Sequence, residues 1–168
     1  MTGKFLEVRD LCVAARIQKS ALTPIVKNVS FAIETGKVVA LIGESGSGKT
    51  TISLACMGYA RPGCIITGGS VRLHDREVLE LDFLERRRFR GTDVSYVAQS
   101  AAASFNAALT ITRQVTETPL IKKLMSANEA AEKAVSLYRE LDLPEPETIG
   151  HRYPHQVSGG QLQRLMAA

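Results

Sequence analysis

The sequence predicts an α/β protein with a central, mostly parallel sheet, an antiparallel β layer N-terminal to it and a helical subdomain beyond it. Three observations carry this prediction. Val38-Val39-Ala40-Leu41-Ile42 is an unbroken apolar run, the pattern of a strand covered on both faces. It leads through a glycine-rich loop, residues 43–50, straight into a helical pattern. Before it lie two extended segments, and after residue 126 the apolar spacing changes to that of helices.

The first extended segment covers residues 5–8 and the second residues 25–33, where Val29, Phe31 and Ile33 alternate with Ser30 and Ala32. Thr35-Gly36 breaks the second, and the buried strand at 38–42 follows. Residues 50–59 read as a helix offering Ile52, Leu54, Ala55 and Met57 for burial, with Arg61-Pro62-Gly63 as its stop. Gly68-Gly69 marks a turn into a strand at 70–73. A short helix at 82–90 and a strand at 94–97 lead into a polar, small-residue stretch, 99–106. Ser126 and Glu129 have capping-box spacing, and Ala131, Ala134, Val135, Tyr138 and Leu141 follow at helical intervals up to Pro144-Glu145-Pro146. A last helix opens at Ser158 and runs on to Ala168.

Composition narrows the function classes. The 168 residues carry 21 Lys and Arg against 17 Asp and Glu, so the net charge of +4 is too small and dispersed to call for nucleic acid as a partner. No apolar run nears the roughly 18 residues of a membrane span, and the first residues lack the pattern of a signal peptide. Cys12, Cys56 and Cys64 form no Cys-x-x-Cys pair and suit a reducing compartment. Cys56 and Met57 read as core filling. The run Arg86-Arg87-Arg88 with Arg90 reads as a solvated helix face, with anionic lipid or a partner as the alternative.

The loop Gly43-Glu44-Ser45-Gly46-Ser47-Gly48-Lys49-Thr50, with Thr51 next to it, matches G-x-x-x-x-G-K-[ST] in full and identifies a P-loop NTPase. A triphosphate needs many N–H donors in a small concave space, and glycines at 43, 46 and 48 let the backbone curl there without Cβ clashes. Lys49 can reach the β- and γ-phosphates, and the Thr50 hydroxyl is suited to Mg²⁺. A second phosphate-binding pattern is Val157-Ser158-Gly159-Gly160-Gln161: Ser158 and Gln161 have capping-box spacing, and the two glycines leave a helix start bare. Two such patterns in one domain suggest a dimer.

These residues resemble the ATP-binding cassette of ABC transporters, whose Leu-Ser-Gly-Gly-Gln signature stands here with Val157 in first place. The resemblance implies that two cassettes meet head to tail, so that Ser158, Gly159, Gly160 and Gln161 close over the nucleotide held by the partner's phosphate loop. It implies that Gln99, in Tyr96-Val97-Ala98-Gln99-Ser100, contacts Mg²⁺ and the attacking water and senses membrane subunits. Lys49 and Gln99 are thus the catalytic candidates, residues 43–51 the ATP-binding ones, and Thr50 and Gln99 the Mg²⁺ ligands. The implied organisation is an incomplete nucleotide-binding domain: an ATP-binding core at 1–98, a helical subdomain with the glutamine loop at 99–157, and the start of the signature helix at 158–168.

Ala103-Ser104-Phe105-Asn106 after Gln99, and Tyr153-Pro154-His155 before the signature, are similar to ATPases of oligopeptide, dipeptide and nickel importers, although Ala107 replaces the usual proline. No aromatic for adenine stands in Val13-Ala14-Ala15-Arg16, and neither residues 78–82 nor Leu141-Asp142 supply the family's Asp-Glu strand after the signature. His151 and His155 precede the signature and straddle Pro154, which suits neither the family's switch histidine nor a metal pair. The resemblance therefore implies the ATPase of an ABC importer, peripheral at the cytoplasmic face of the inner membrane. Its expected partners are permease subunits and a second cassette, identical or not, and its ligands ATP and Mg²⁺. A nucleotide-binding module without turnover, or an ABC protein outside transport, are the alternatives.

Overall fold

The structure, a computed structural model, describes residues 4–16 and 21–168. The chain forms two compact units, Met1–Val94 and Ser95–Ala168.

In the first unit β1 (Lys4–Arg16) lies between β2 (Leu22–Glu34) and β3 (Cys64–Leu73), and β3 pairs with the two-residue β4 (Arg76–Glu77), giving an antiparallel order β2-β1-β3-β4. The alternation seen in the sequence thus places an antiparallel layer, but its strands are longer than their patterns. β1 continues past Val8 because bulges interrupt its register on both sides, and Asp10 (φ 46°) and, on β2, Asn28 (φ 48°) adopt left-handed backbone there. β2 tolerates Pro24 because it is an edge strand. Val8, Leu11, Val13, Val26, Val71 and Leu73 bury one face of this sheet with Ile52, Ala55, Val78 and Phe89.

Gly68-Gly69 is not a turn. Both residues lie inside β3, where Gly69 (φ 98°) passes so close to the bulge of β1 that a Cβ would stand 2.7 Å from the carbonyl oxygens of Arg9 and Asp10. The helix after the loop is likewise shorter than its pattern. α1 spans Lys49–Ala55, and its stop is Gly58 (φ 63°), not Arg61-Pro62-Gly63. The Gly58 amide donates to Ala55 O (2.9 Å) and the Tyr59 amide to Leu54 O (3.0 Å), the paired bonds of a Schellman ending.

α2 (Phe83–Phe89) starts at a reciprocal box between Asp82 and Glu85. Its arginines are not one solvated face. Arg86 is half-buried and donates to Leu79 O at 2.7 Å, while Arg90 donates from Nε to Met57 O (3.0 Å) and from Nη2 to Gly58 O (2.6 Å) and lies over the Tyr59 ring. Arg90 thus holds carbonyls just past the end of α1, where a cation is favourable, while Arg86 holds the segment leading into α2. Burial, and then the like charge of Arg86, lower the Arg90 pKa.

The central strand is the main departure from expectation. Residues 37–44 join no sheet; Val38 is 95% and Ile42 94% exposed, and Val39 and Leu41 are exposed too. Residues 94–97 also form no ladder beyond one bridge between Arg90 and Val94. Parallel strands need neighbours brought in by crossover connections, and no other described segment pairs with either run.

The second unit is helical: α3 (Ala101–Ser104), α4 (Ile111–Val115), α5 (Glu117–Ile121), α6 (Ala127–Glu140), two 3-10 turns and α7 (Gly159–Ala167). Ser126 and Glu129 form the capping box of α6, and Ala134 and Tyr138 enter the core with Ile111, Leu143, Ile149 and Leu165. Ala130 is buried and Ala131 only half-buried, a rotation of one position from the pattern.

Two predictions follow from this packing. Gly69→Ala should lower unfolding stability by about 3 kcal/mol, whereas Gly63→Ala, also at positive φ (82°) but in open space, should cost about 1 kcal/mol; urea midpoints compare them. Burial pushes the Cys56 thiol up to about 11. At pH 8, Ellman's reagent should label Cys56, in a Cys12→Ser, Cys64→Ser background, roughly 100-fold more slowly than an ordinary thiol, and faster as pH rises toward that value.

Candidate nucleotide site

The phosphate loop lies wholly in the first unit, immediately before α1. Gly46 (φ 85°) and Gly48 (φ 90°) take left-handed backbone, which lets the chain reverse twice within a few residues. The Ser47 amide closes the first reversal on Glu44 O at 3.2 Å. Gly48 is the N-cap of α1 and packs under β2, where a Cβ would lie 3.4 Å from Ile25 O. Because glycine has no side chain, the first-turn amides of Lys49, Thr50 and Thr51 receive no side-chain cap. The start of α1 is an uncapped, electropositive helix end facing an exposed loop.

Lys49 folds back over that loop. Its ammonium donates to Gly43 O (2.8 Å), to Glu44 O and to Ser47 Oγ (3.3 Å). All three donors of the ammonium are therefore held by the loop, which fixes the curl and keeps the charge at its mouth. An anion entering there meets the lysine charge and the free amides together. The Thr50 hydroxyl sits in the first helical turn, half-buried beside this charge. Gly43, Glu44, Ser45, Gly46, Ser47, Gly48, Lys49, Thr50 and Thr51 are thus brought together by local chain geometry alone.

Gln99, Ser158, Gly159, Gly160 and Gln161 belong to the second unit. Gln99 is exposed just before α3. Ser158 is the N-cap of α7: its Oγ accepts from the Gln161 amide (3.3 Å), and its own amide donates to Gln161 Oε1 (2.8 Å). Gly159 and Gly160 are exposed, and outside the helix's own backbone and the adjoining residues nothing stands within 4 Å of where a Cβ would be. Upstream, the Tyr153 amide donates to Gln156 Oε1 (2.8 Å) and the rings of Tyr153 and His155 stack 5.8 Å apart. His151 sits in the preceding 3-10 turn.

Three polar residues of this unit are not legible from the motifs. Gln114 accepts from the Asn106 amide (2.7 Å) and donates to the carbonyls of Asn106 (3.0 Å), Leu109 (3.0 Å) and Thr110 (3.3 Å), so it shapes the turn where Ala107 replaces proline. Gln163 donates to Ala98 O at 3.3 Å, and Arg164 donates to Leu141 O (3.0 Å) and Asp142 O (2.7 Å) at the end of α6. The spacing Gln161-x-Gln163-Arg164 is the one signal in the sequence that marks the last two.

Comparison with known proteins agrees with this geometry. Residues 26–168 match the family model described as ABC transporter. The oligopeptide transport ATP-binding protein AppD of Bacillus subtilis (strain 168) is 39% identical over 164 residues, 97% of this chain and 50% of that protein. The dipeptide transport ATP-binding protein DppD of Lactococcus lactis subsp. cremoris (strain MG1363) is 35% identical over 98% of this chain and 47% of its own length. The chain thus spans half or less of these relatives. The dimeric ATP-binding cassette MJ0796, solved bound to ADP and Pi, superposes with a TM-score of 0.79 at 24% identity over 96% of this chain and 66% of that one, and shares its fold. This α/β chain is therefore a member of the ABC transporter family.

Proposed function

We propose that this chain is the nucleotide-binding part of the ATPase subunit of an ABC importer for peptides or a related small solute. The observation that carries the reading is the uncapped start of α1 with Lys49 over its mouth, in a chain 39% identical to an oligopeptide transport ATP-binding protein. The glycine-rich backbone and the first-turn amides take the phosphates, and Lys49 exchanges its loop carbonyls for β- and γ-phosphate oxygens. Both interactions are charge-assisted and strengthen as charge builds on the transferring phosphoryl group.

The phosphate loop suits Mg²⁺ by donor chemistry: the Thr50 hydroxyl is a neutral oxygen donor of the kind this ion takes beside phosphates. When bound, Mg²⁺ neutralises phosphate charge. Thr50 would help to hold it, and in this reading Gln99 would orient the attacking water. Ser158, the Gly159 and Gly160 amides and Gln161 present a second anion-binding helix start to the nucleotide of a partner cassette, identical or not. We read residues 1–98 as the ATP-binding core, 99–157 as the helical subdomain and 158–168 as the start of the signature helix. Permease subunits at the cytoplasmic face of the inner membrane are the proposed docking partners. Among the described residues no helix is long and apolar enough to cross a membrane, so attachment through these residues is peripheral.

A second reading, nucleotide binding without turnover, applies to the 168 residues by themselves. It is favoured by the exposed run at 38–42, which joins no sheet. Calorimetric titration with MgATP tests the shared core of both readings. The chain should bind, and Lys49→Ala should weaken binding by about 10- to 100-fold, or roughly 1.4–2.7 kcal/mol. Binding indifferent to Lys49 would sink the assignment of the loop. Phosphate release above background from the chain alone would refute the second reading.

A further inference from the structure

We propose that a groove beside α2 binds a phosphate monoester that carries an apolar group, using no residue of the phosphate loop. The groove belongs wholly to the first unit, and Tyr59, Leu81, Phe83, Arg86, Arg87 and Arg90 line it. Its volume of about 620 Å³ falls within the range of small-molecule sites.

Three guanidinium groups and no carboxylate border this groove. Two of the three are held in place by the fold itself. Arg86 donates from Nη2 to Leu79 O (2.7 Å), and Arg90 is clamped on Met57 O (3.0 Å) and Gly58 O (2.6 Å) with its guanidinium 5.4 Å from the Tyr59 ring centroid. These anchors are neutral carbonyls, which orient the cations without cancelling their charge; the end of α1 offsets at most about half a unit of it. Arg86 Nε is buried without a hydrogen-bond partner, an arrangement that costs stability in a charged group. After burial, the like charge of Arg86 is the next cause that lowers the Arg90 pKa. An anion in the groove brings opposite charge to two cations already in position and relieves that repulsion.

The count of charges favours phosphate over carboxylate. A carboxylate brings one negative charge, whereas a phosphate monoester brings about 1.5 to 2 near pH 7 and three acceptor oxygens. Those oxygens point in several directions and so can be met by guanidinium groups on different sides of a groove. The apolar group follows from the walls. Phe83 is 79% exposed at the first position of α2 and joins neither core cluster, and Leu81 beside it is half-buried. An exposed ring next to fixed cations suits a ligand with one apolar and one anionic end.

Calorimetric titration with phenyl phosphate tests this in a Lys49→Ala background, which removes the lysine of the phosphate loop. Inorganic phosphate and phenylacetate serve as comparison ligands, and sedimentation with phosphatidic acid vesicles forms a second arm. Phenyl phosphate should bind about threefold more tightly than inorganic phosphate, through Phe83, and about tenfold more tightly than phenylacetate, through its added charge. Arg87→Glu should weaken phenyl phosphate binding about tenfold and Phe83→Ala about threefold. Both residues are exposed, so both variants should keep the parent's melting temperature. Binding of the soluble ester alone identifies a soluble phosphate ester as the ligand, and tighter, Arg87-dependent binding of the vesicles identifies a lipid headgroup; either outcome upholds the site. Phenyl phosphate binding that Arg87→Glu and Phe83→Ala leave unchanged would overturn the proposal. So would phenylacetate bound as tightly as phenyl phosphate, or no binding of either the ester or the vesicles. If Arg87→Glu unfolds, Arg87→Ala takes its place with an expected loss of about threefold, and unchanged binding there overturns the proposal equally. None of these outcomes bears on the nucleotide site.

Discussion

A helix cannot satisfy the N–H groups of its own first turn, and the functional architecture of this chain depends on how each helix start resolves that constraint. α2, α6 and α7 resolve it internally, through the reciprocal boxes Asp82/Glu85, Ser126/Glu129 and Ser158/Gln161. α1 does not: its N-cap is Gly48, in left-handed backbone, with no side chain to offer. α3, α4 and α5 also lack a side-chain cap, but at α1 the amides face a loop that already holds a lysine charge, an arrangement that favours an anion. α7 lies between these cases. Its box satisfies the Gln161 amide, while Gly159 and Gly160 bring no side chain to an exposed helix start.

That contrast explains which features were legible. The phosphate loop, the capping boxes at Ser126 and Ser158 and the signature are short and local, and their residue types leave little choice: a left-handed N-cap calls for glycine at 48, and a capping box pairs Ser or Thr with Glu or Gln three residues on. What escaped the sequence depends on close approach between distant segments. Gly68-Gly69 has the composition of a turn, and only the bulge of β1 makes it part of a strand. The end of α1 at Gly58, before the stronger-looking Arg61-Pro62-Gly63, is tied to Val78, whose Cγ1 would stand 3.2 Å from a Cβ there. Arg86 and Arg90 look like surface charge beside Arg87 and Arg88 until their guanidinium groups are seen to hold the carbonyls of Leu79, Met57 and Gly58.

Residues 38–42 fail in a different way. Their unbroken apolar pattern describes an environment, burial on two faces, and not a backbone preference that they can realise alone. The antiparallel layer forms because each strand meets partners within the chain: β1 finds β2 across a short connection and β3 through its bulges. The 38–42 run meets none among the described residues, and Val38 and Ile42 stay in solvent. An exposed apolar segment with free backbone edges invites pairing.

Binding and turnover therefore place separable demands on the fold. The cradle for phosphate needs only the 43–51 loop, the start of α1 and the strand over which Gly48 packs, all of which the first unit supplies from its own residues. Orienting a nucleophile demands more: groups fixed to about half an ångström, supported by elements that do not yield. The loop meets its demand through hydrogen bonds within a few residues. The unpaired run before it does not, because a strand without neighbours has no ladder to fix its carbonyls. In the proposed reading nucleotide affinity is encoded locally, in the 43–51 loop and the three hydrogen bonds of Lys49, whereas the precision that hydrolysis requires would come from pairing of the run before it.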